Sequence, residues 1–154
     1  MEQETPALIT STEPLPFFVY GTLRPGGDLY HNIEYLVRRH EPAILPGFDL
    51  YMAGYPAIRP TEIPSRFVVG DLLWMRDHER ALARCDAIEH YHPPFTTMYI
   101  RAAVIAQTDG RDTRMAAWAY LAGPGCPFDE DDRVPSGDYK IARPEHWLPR
   151  EVPA

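Results

Sequence analysis

The sequence is short of cysteine, of basic residues relative to acidic ones, and of long apolar runs. Two cysteines occur in 154 residues, Cys85 and Cys126, in unrelated contexts. Neither belongs to a CxxC-like cluster, which argues against a cysteine zinc site or a disulfide scaffold. Both read as reduced, structural thiols of a cytosolic protein. The net charge of −7 and the lack of a basic stripe with interleaved aromatics oppose nucleic-acid binding. The longest apolar stretch, Met115 to Ala122, is under half of the roughly 20 residues that span a bilayer. The acidic start Met1-Glu2-Gln3-Glu4-Thr5 lacks the positive opening of a signal peptide. A soluble cytoplasmic protein with neither nucleic-acid nor membrane partners is the expectation. GxxxxGK[ST], GxGxxG and GxSxG are also missing, so phosphate-loop, dinucleotide and serine-nucleophile chemistry are not favoured.

Proline, by contrast, is abundant at 17 residues, clustered at 6–16, 42–64, 93–94, 124–127 and 135–149, where it punctuates loops and edges. The length suits one domain, which buries roughly 68–70% of its unfolded surface without staples. Residues 1–15 are polar and aperiodic and read as a mobile tail, leaving a single domain over 16–150. A strand over Phe17 to Tyr20 comes first. The spacing of Leu29, Ile33, Leu36 and Val37 then predicts a helix from Asp28, its cap, to Arg39. Short strands follow over Ala43 to Ala53 and Tyr55 to Arg59, and a longer one over Arg66 to Met75. Asp77 caps a second helix to about Glu89, with Ala81, Leu82, Cys85 and Ile88 on one face. Tyr99 to Gln107 and Arg114 to Leu121 form a hairpin through Thr108 to Asp112, and a helical turn is expected near Pro144 to Leu148. The order predicts an α+β fold, a small mixed, barrel-like curled sheet with two main flanking helices.

Two features carry chemistry. The run Pro16 to Gly27 (PFFVYGTLRPGG) ends a strand in a loop able to present backbone N–H groups to an anion such as a carboxylate. It is equally compatible with an ordinary strand end and Pro-Gly turn. Glu89 closes the second helix, where the helix dipole, Asp86 and the apolar Tyr91 and Phe95 would raise its pKa toward that of a general acid/base. A solvated acid at a fraying helix end is the competing reading. His90 and His92 have H-x-H spacing, but Pro93-Pro94 makes the segment a loop and no third ligand has suitable spacing, so no metal site is assigned.

These pieces, in order, resemble the gamma-glutamylcyclotransferase superfamily. Tyr20-Gly21-Thr22-Leu23 with Arg24-Pro25-Gly26-Gly27 is similar to its YG[ST]L substrate loop. Gly47 to Tyr51, Gly54-Tyr55-Pro56-Ala57 and Val69 to Leu73 resemble its following strands. Cys85 to Tyr91 occupies the place of its LDxxEgY helix end, and Tyr99-Ile100-Arg101, Tyr120 and Ser136-Gly137-Asp138-Tyr139 complete a likeness over 16–140. The resemblance implies a small barrel with flanking helices and a cofactor-independent reaction. The α-amine of a γ-glutamyl group attacks its own γ-carbonyl, giving 5-oxoproline and a free amine. Glu89 is then the general acid/base. The backbone of Tyr20, Gly21, Thr22 and Leu23 holds the α-carboxylate, and Tyr99 and Tyr139 orient substrate or acid. Arg24-Pro25-Gly26-Gly27 points to the gamma-glutamylamine branch or a biosynthetic relative that removes a γ-glutamyl protecting group. The partner is a small γ-glutamyl substrate, the default state a monomer with a dimer as alternative. Cys85 and His90 stand where many members have Leu and Gly, and His90 is expected to alter the pocket. Acceptor specificity is expected from Gly54 to Pro64 and Tyr91 to Met98. A non-catalytic ligand or interaction module, and more weakly a metal enzyme using His90 and His92, are the alternatives.

Overall fold

Along the strands Phe17–Val19 and Phe67–Met75 the large apolar side chains alternate between two cores, and this alternation organises the molecule. The computed structural model describes residues 8–9, 14–52, 54–91, 98–108, 113–126 and 128–146. In chain order the elements are β1 (Leu8–Ile9), β2 (Phe17–Val19), β3 (Val37–Pro46), β4 (Phe48–Met52), β5 (Pro56–Pro60), β6 (Phe67–Met75), α1 (His78–Ile88), β7 (Tyr99–Thr108), β8 (Arg114–Ala122) and α2 (Tyr139–Ala142). Strand order β8-β2-β6-β3-β7, with β7 returning to β8, closes a five-strand barrel. β1 adds to β8 in parallel, Leu8 opposite Arg114 and Ile9 opposite Met115, so part of the expected tail is a strand. β4 and β5 form a separate hairpin.

Phe18, Leu72, Trp74, Ala43, Leu45, Val104, Ala106, Ala117 and Ala119 share the barrel interior. The alanines match a barrel of this size, since bulky Phe18, Trp74 and Tyr139 already fill it. The opposite parity, Phe17, Val19 and Leu73, packs outward against Ala81 and Cys85 of α1. Leu82 and Ile88 cover the edge of that second core, completing the helix face that the sequence periodicity marks. Asp77 caps α1 by accepting the Arg80 N–H at 3.2 Å.

The α+β class, the barrel-like sheet and its helices match the expectation, with one correction. The segment 28–39 is not an α-helix. It makes two 3-10 turns, Tyr30–Asn32 and Glu34–Leu36, and then enters β3. Its bonds are i to i−3, for example Ile33 N–H to Tyr30 O at 3.0 Å and Leu36 N–H to Ile33 O at 2.8 Å. Apolar residues three and four apart serve both helix types, and pairing of Val37 with Met75 draws the end into the sheet. Asp28 caps no helix. The second α-helix is α2, capped by Asp138, whose side chain accepts the Lys140 N–H at 2.9 Å. Another 3-10 turn, Pro144–His146, matches the expected helical turn.

β2 and β6 approach so closely at Gly70 that a Cβ there would lie 2.3 Å from the Val19 carbonyl oxygen and 2.7 Å from the Phe18 ring. Gly70→Ala is therefore expected to destabilise the fold by about 1–3 kcal/mol. Urea denaturation of the two proteins measures it, and an unchanged midpoint would contradict the packing described here.

Candidate active site

The loop after β2 folds its carbonyl groups inward. Arg24 N–H bonds Gly21 O at 3.1 Å, Gly27 N–H bonds Arg24 O at 2.8 Å, and Leu29 N–H bonds Thr22 O at 3.1 Å. Gly27 permits this fold, since a Cβ on it would sit 2.4 Å from Thr22 O. Among the described residues, no acceptor takes the backbone N–H of Gly21, Thr22 or Leu23. Arg24 anchors the loop from beneath. Its Nε donates to Asp71 on β6 at 2.7 Å, and its Nη1 donates to Asp138, the cap of α2, at 3.0 Å.

Glu89 is held by the way α1 ends. Tyr91 N–H bonds Asp86 O at 2.8 Å and His90 N–H bonds Ala87 O at 3.3 Å, the paired bonds of a Schellman motif. His90 takes the left-handed position at φ +54, where glycine is usual. Glu89 is thus the C-cap residue, and its carboxyl opens onto a cavity of about 390 Å³. Tyr20, Gly21, Thr22, Leu23, Tyr99 and Tyr139 line the same cavity, so every site residue named from the sequence meets there.

Burial pushes the Glu89 carboxyl up to about 7. Although half-buried by its exposed surface, it is packed round by protein, and its carboxyl accepts no hydrogen bond among the described residues. The cause differs from the sequence argument in one respect. Asp86 does not press on Glu89, because its own charge is committed: it accepts from Tyr120 Oη at 2.5 Å and from Arg101. Phe95 and His92 lie outside the described residues. Other cavity tyrosines besides Tyr120 are tied to the protein. Tyr20 Oη donates to Tyr120 O at 2.6 Å, Tyr99 Oη donates to Pro56 O, and Tyr139 Oη pairs with His146 Nδ1. Burial first, with the charge of Glu89 among the further causes, raises the Tyr20 and Tyr99 hydroxyls far above the usual phenol range. Both stay protonated as donors.

Sequence reasoning placed His90 as a modifier of the pocket, whereas the residue is exposed and not part of the lining. Cys85 also faces away from the cavity into the second core, and burial first, then Glu89 and Asp86, raise its thiol to about 12. It is no nucleophile. Gly54, Tyr55 and Pro56, at the start of the segment expected to confer specificity, do line the cavity. Asp28, Leu29 and His146 were missed as site residues. The only local signal was Asp28 following the Gly-Gly loop, and it was assigned to helix capping.

The family profile "Gamma-glutamyl cyclotransferase, AIG2-like" matches residues 17–141. The chain belongs to this family. The gamma-glutamyl cyclotransferase, AIG2-like chain resembles in structure an AIG2-like protein from Mus musculus (TM-score 0.60, 20% identity, 90% of this chain and 98% of that one). It also resembles the uncharacterised PH0828 from Pyrococcus horikoshii (TM-score 0.62, 21% identity, 86% and 96%). A third likeness is YkqA from Bacillus subtilis (TM-score 0.62, 24% identity), covering 84% of this chain and only 40% of YkqA. At these identities the likeness concerns the fold. No curated protein matches the chain by sequence. Among the described residues no helix is long and apolar enough to cross a membrane.

Two expectations follow. His90→Gly relieves the left-handed backbone without touching the cavity lining, and should stabilise the fold by about 0.5–1 kcal/mol in denaturant melts. Glu89→Gln should have a pH-dependent effect on stability. The folded carboxyl keeps its proton to about pH 7, while the unfolded one releases it near its ordinary value. Parent stability therefore falls as pH rises from about 4.5 to about 7, and the Gln variant lacks that fall. The Tm difference, variant minus parent, should grow more positive over that window and then level off. A flat difference would mean that Glu89 is solvated.

Proposed function

We propose that the chain is a cofactor-independent gamma-glutamylcyclotransferase acting on γ-glutamyl amines or amides. The observation that carries this reading is a carboxyl with a pKa near 7, without a hydrogen-bond partner among the described residues, sharing one cavity with a loop whose backbone N–H groups are likewise unclaimed among them. A purely binding module has no use for a carboxyl whose burial is costly.

In this mechanism the N–H groups of Gly21, Thr22 and Leu23 receive the substrate's α-carboxylate and bend the γ-glutamyl chain back on itself. The Glu89 carboxylate takes a proton from the α-amine. The amine nitrogen then bonds to the γ-carbonyl carbon, and the bond from that carbon to the leaving nitrogen breaks. Glu89 returns the proton to the departing amine, so one carboxyl serves as base and then acid. Because both reacting groups belong to one molecule, holding them in register supplies much of the rate: effective molarities reach about 10⁵–10⁸ M in well-oriented cases. Tyr99 and Tyr139 shape the wall against which the substrate folds. The protein partner is then a small γ-glutamyl molecule, turned over in the cytoplasm by a monomer.

Mass-spectrometric detection of 5-oxoproline from a panel of γ-glutamyl amines, γ-glutamyl amino acids and glutathione tests the reaction. Glu89→Gln is expected to lose about 10²–10⁴-fold in kcat/KM while remaining folded. In the parent, kcat/KM should rise with pH up to about 7, because the base works as carboxylate. Equal turnover by the Gln variant would remove Glu89 from the chemistry.

A further inference from the structure

Arg101, on β7, brackets the end of α1 that carries Glu89. Its Nη1 donates to Asp86, three residues before the acid, in an ion pair whose side chains are only 21% and 22% exposed. Its guanidinium carbon lies 5.3 Å from the ring centroid of Tyr91, two residues after the acid, and 5.1 Å from that of Trp118 on β8. The strand register sets Arg101 opposite Tyr120, whose hydroxyl is the second donor to Asp86, at 2.5 Å. Tyr91 N–H completes the bracket on Asp86 O at 2.8 Å.

Three charges therefore gather at one helix end. Asp86 and Glu89 stand a turn apart, a spacing that sets Cβ atoms about 5–6 Å from each other. Cys85 registers all three: after burial, the charges of Glu89 and Asp86 raise its thiol, and those of Arg84 and Arg101 lower it. Arg84 is itself engaged with Asn32 Oδ1 at 3.3 Å. The other titratable groups about Glu89 are Tyr20 after β2, Tyr99 on β7 and Tyr120 on β8, with Asp28, Tyr139 and His146 lining the same cavity. An Asp86 carboxylate without its cation would keep the Tyr120 donor, which favours the charged form, and would set a like charge beside an acid already short of water.

We propose that Arg101 is a positioning residue for Glu89, fixing residues 86–91 against β7 and β8 and cancelling the field of Asp86 at the acid. The inference rests on the reading of Glu89 as general acid/base and names how that acid is tuned. Neither Arg101 nor Asp86 lines the cavity, so both act through Glu89.

The test follows the Glu89 carboxyl by ¹³C NMR, its signal assigned by its absence in Glu89→Gln, alongside pH profiles of kcat/KM for 5-oxoproline release. Arg101→Gln should move the Glu89 titration upward by about 0.5–1 pH unit, and the acid limb of the profile with it. Asp86→Asn leaves the cation alone and should move both downward. The double variant, neutral at both positions, should return close to the parent, and Arg101→Lys should stay there. Thermal melts accompany each variant, and if Arg101→Gln does not fold, Asp86→Asn and the double variant decide. A Glu89 titration unmoved by either single change, or displaced in the double variant as far as in Arg101→Gln, overturns the role of Arg101 and leaves the reaction standing. Absence of 5-oxoproline from every γ-glutamyl compound overturns the reaction, while the NMR titration still reads the field of the pair.

Discussion

Arg24 is the fastener on which the site depends. One guanidinium joins the loop after β2, the central strand β6 through Asp71 and the cap of α2 through Asp138. Those segments are remote in sequence, and each supplies a wall of the cavity or its support. The three charges are mostly buried, so the network holds only as a complete set: removing one partner leaves the others uncompensated in a poorly solvated place. Asp138 has a second duty in capping α2, so the same atom that steadies the loop also orients Tyr139 at the cavity's edge. Lysine at position 24 offers a point charge and cannot reach both carboxylates with the geometry of a guanidinium.

Glu89 is positioned by a different economy. The end of α1 is fixed by backbone bonds, so the acid needs no side-chain partner to hold it. That leaves its carboxyl free on the cavity side, where loss of water rather than a neighbouring charge keeps its proton to near neutrality. Asp86, three residues earlier, is bound by Arg101 and Tyr120 and kept from disturbing it. Two carboxyls on one helix end thereby take separate places, one in an ion pair and one open to the cavity.

Much of this was legible in the sequence because it is local. The strand ending in Tyr20-Gly21, the cap at Asp77 and the helix face of Ala81, Leu82, Cys85 and Ile88 are written in neighbouring residues, and the structure follows them. The 28–39 segment was misread since Leu29, Ile33 and Leu36 fit α and 3-10 spacing alike, and the sheet decides between them through Val37. His90 was misread for a related reason: a substitution beside an acid suggests chemistry, but here its backbone angle is what matters. Asp28 and His146 were invisible as a pair because 118 positions separate them (146 − 28) and only closure of the barrel end brings them together. The strand over Arg66 to Met75 was readable in the sequence, while the identity of the strands it pairs with was not.

The barrel is shut by β2 meeting β8, Phe17 opposite Trp118, with Tyr20 Oη reaching a carbonyl 100 residues along the chain. A seam of that sequence separation imposes an order of events. On a ribosome, the loop after β2 emerges some 100 residues before the strand it must stand against. Loop-closure entropy must be overcome before the seam returns any contact energy, which places such a topology among slow folders. During that wait Phe17, Phe18 and Val19 remain uncovered strand, the kind of surface that chaperones bind and that aggregates when they do not.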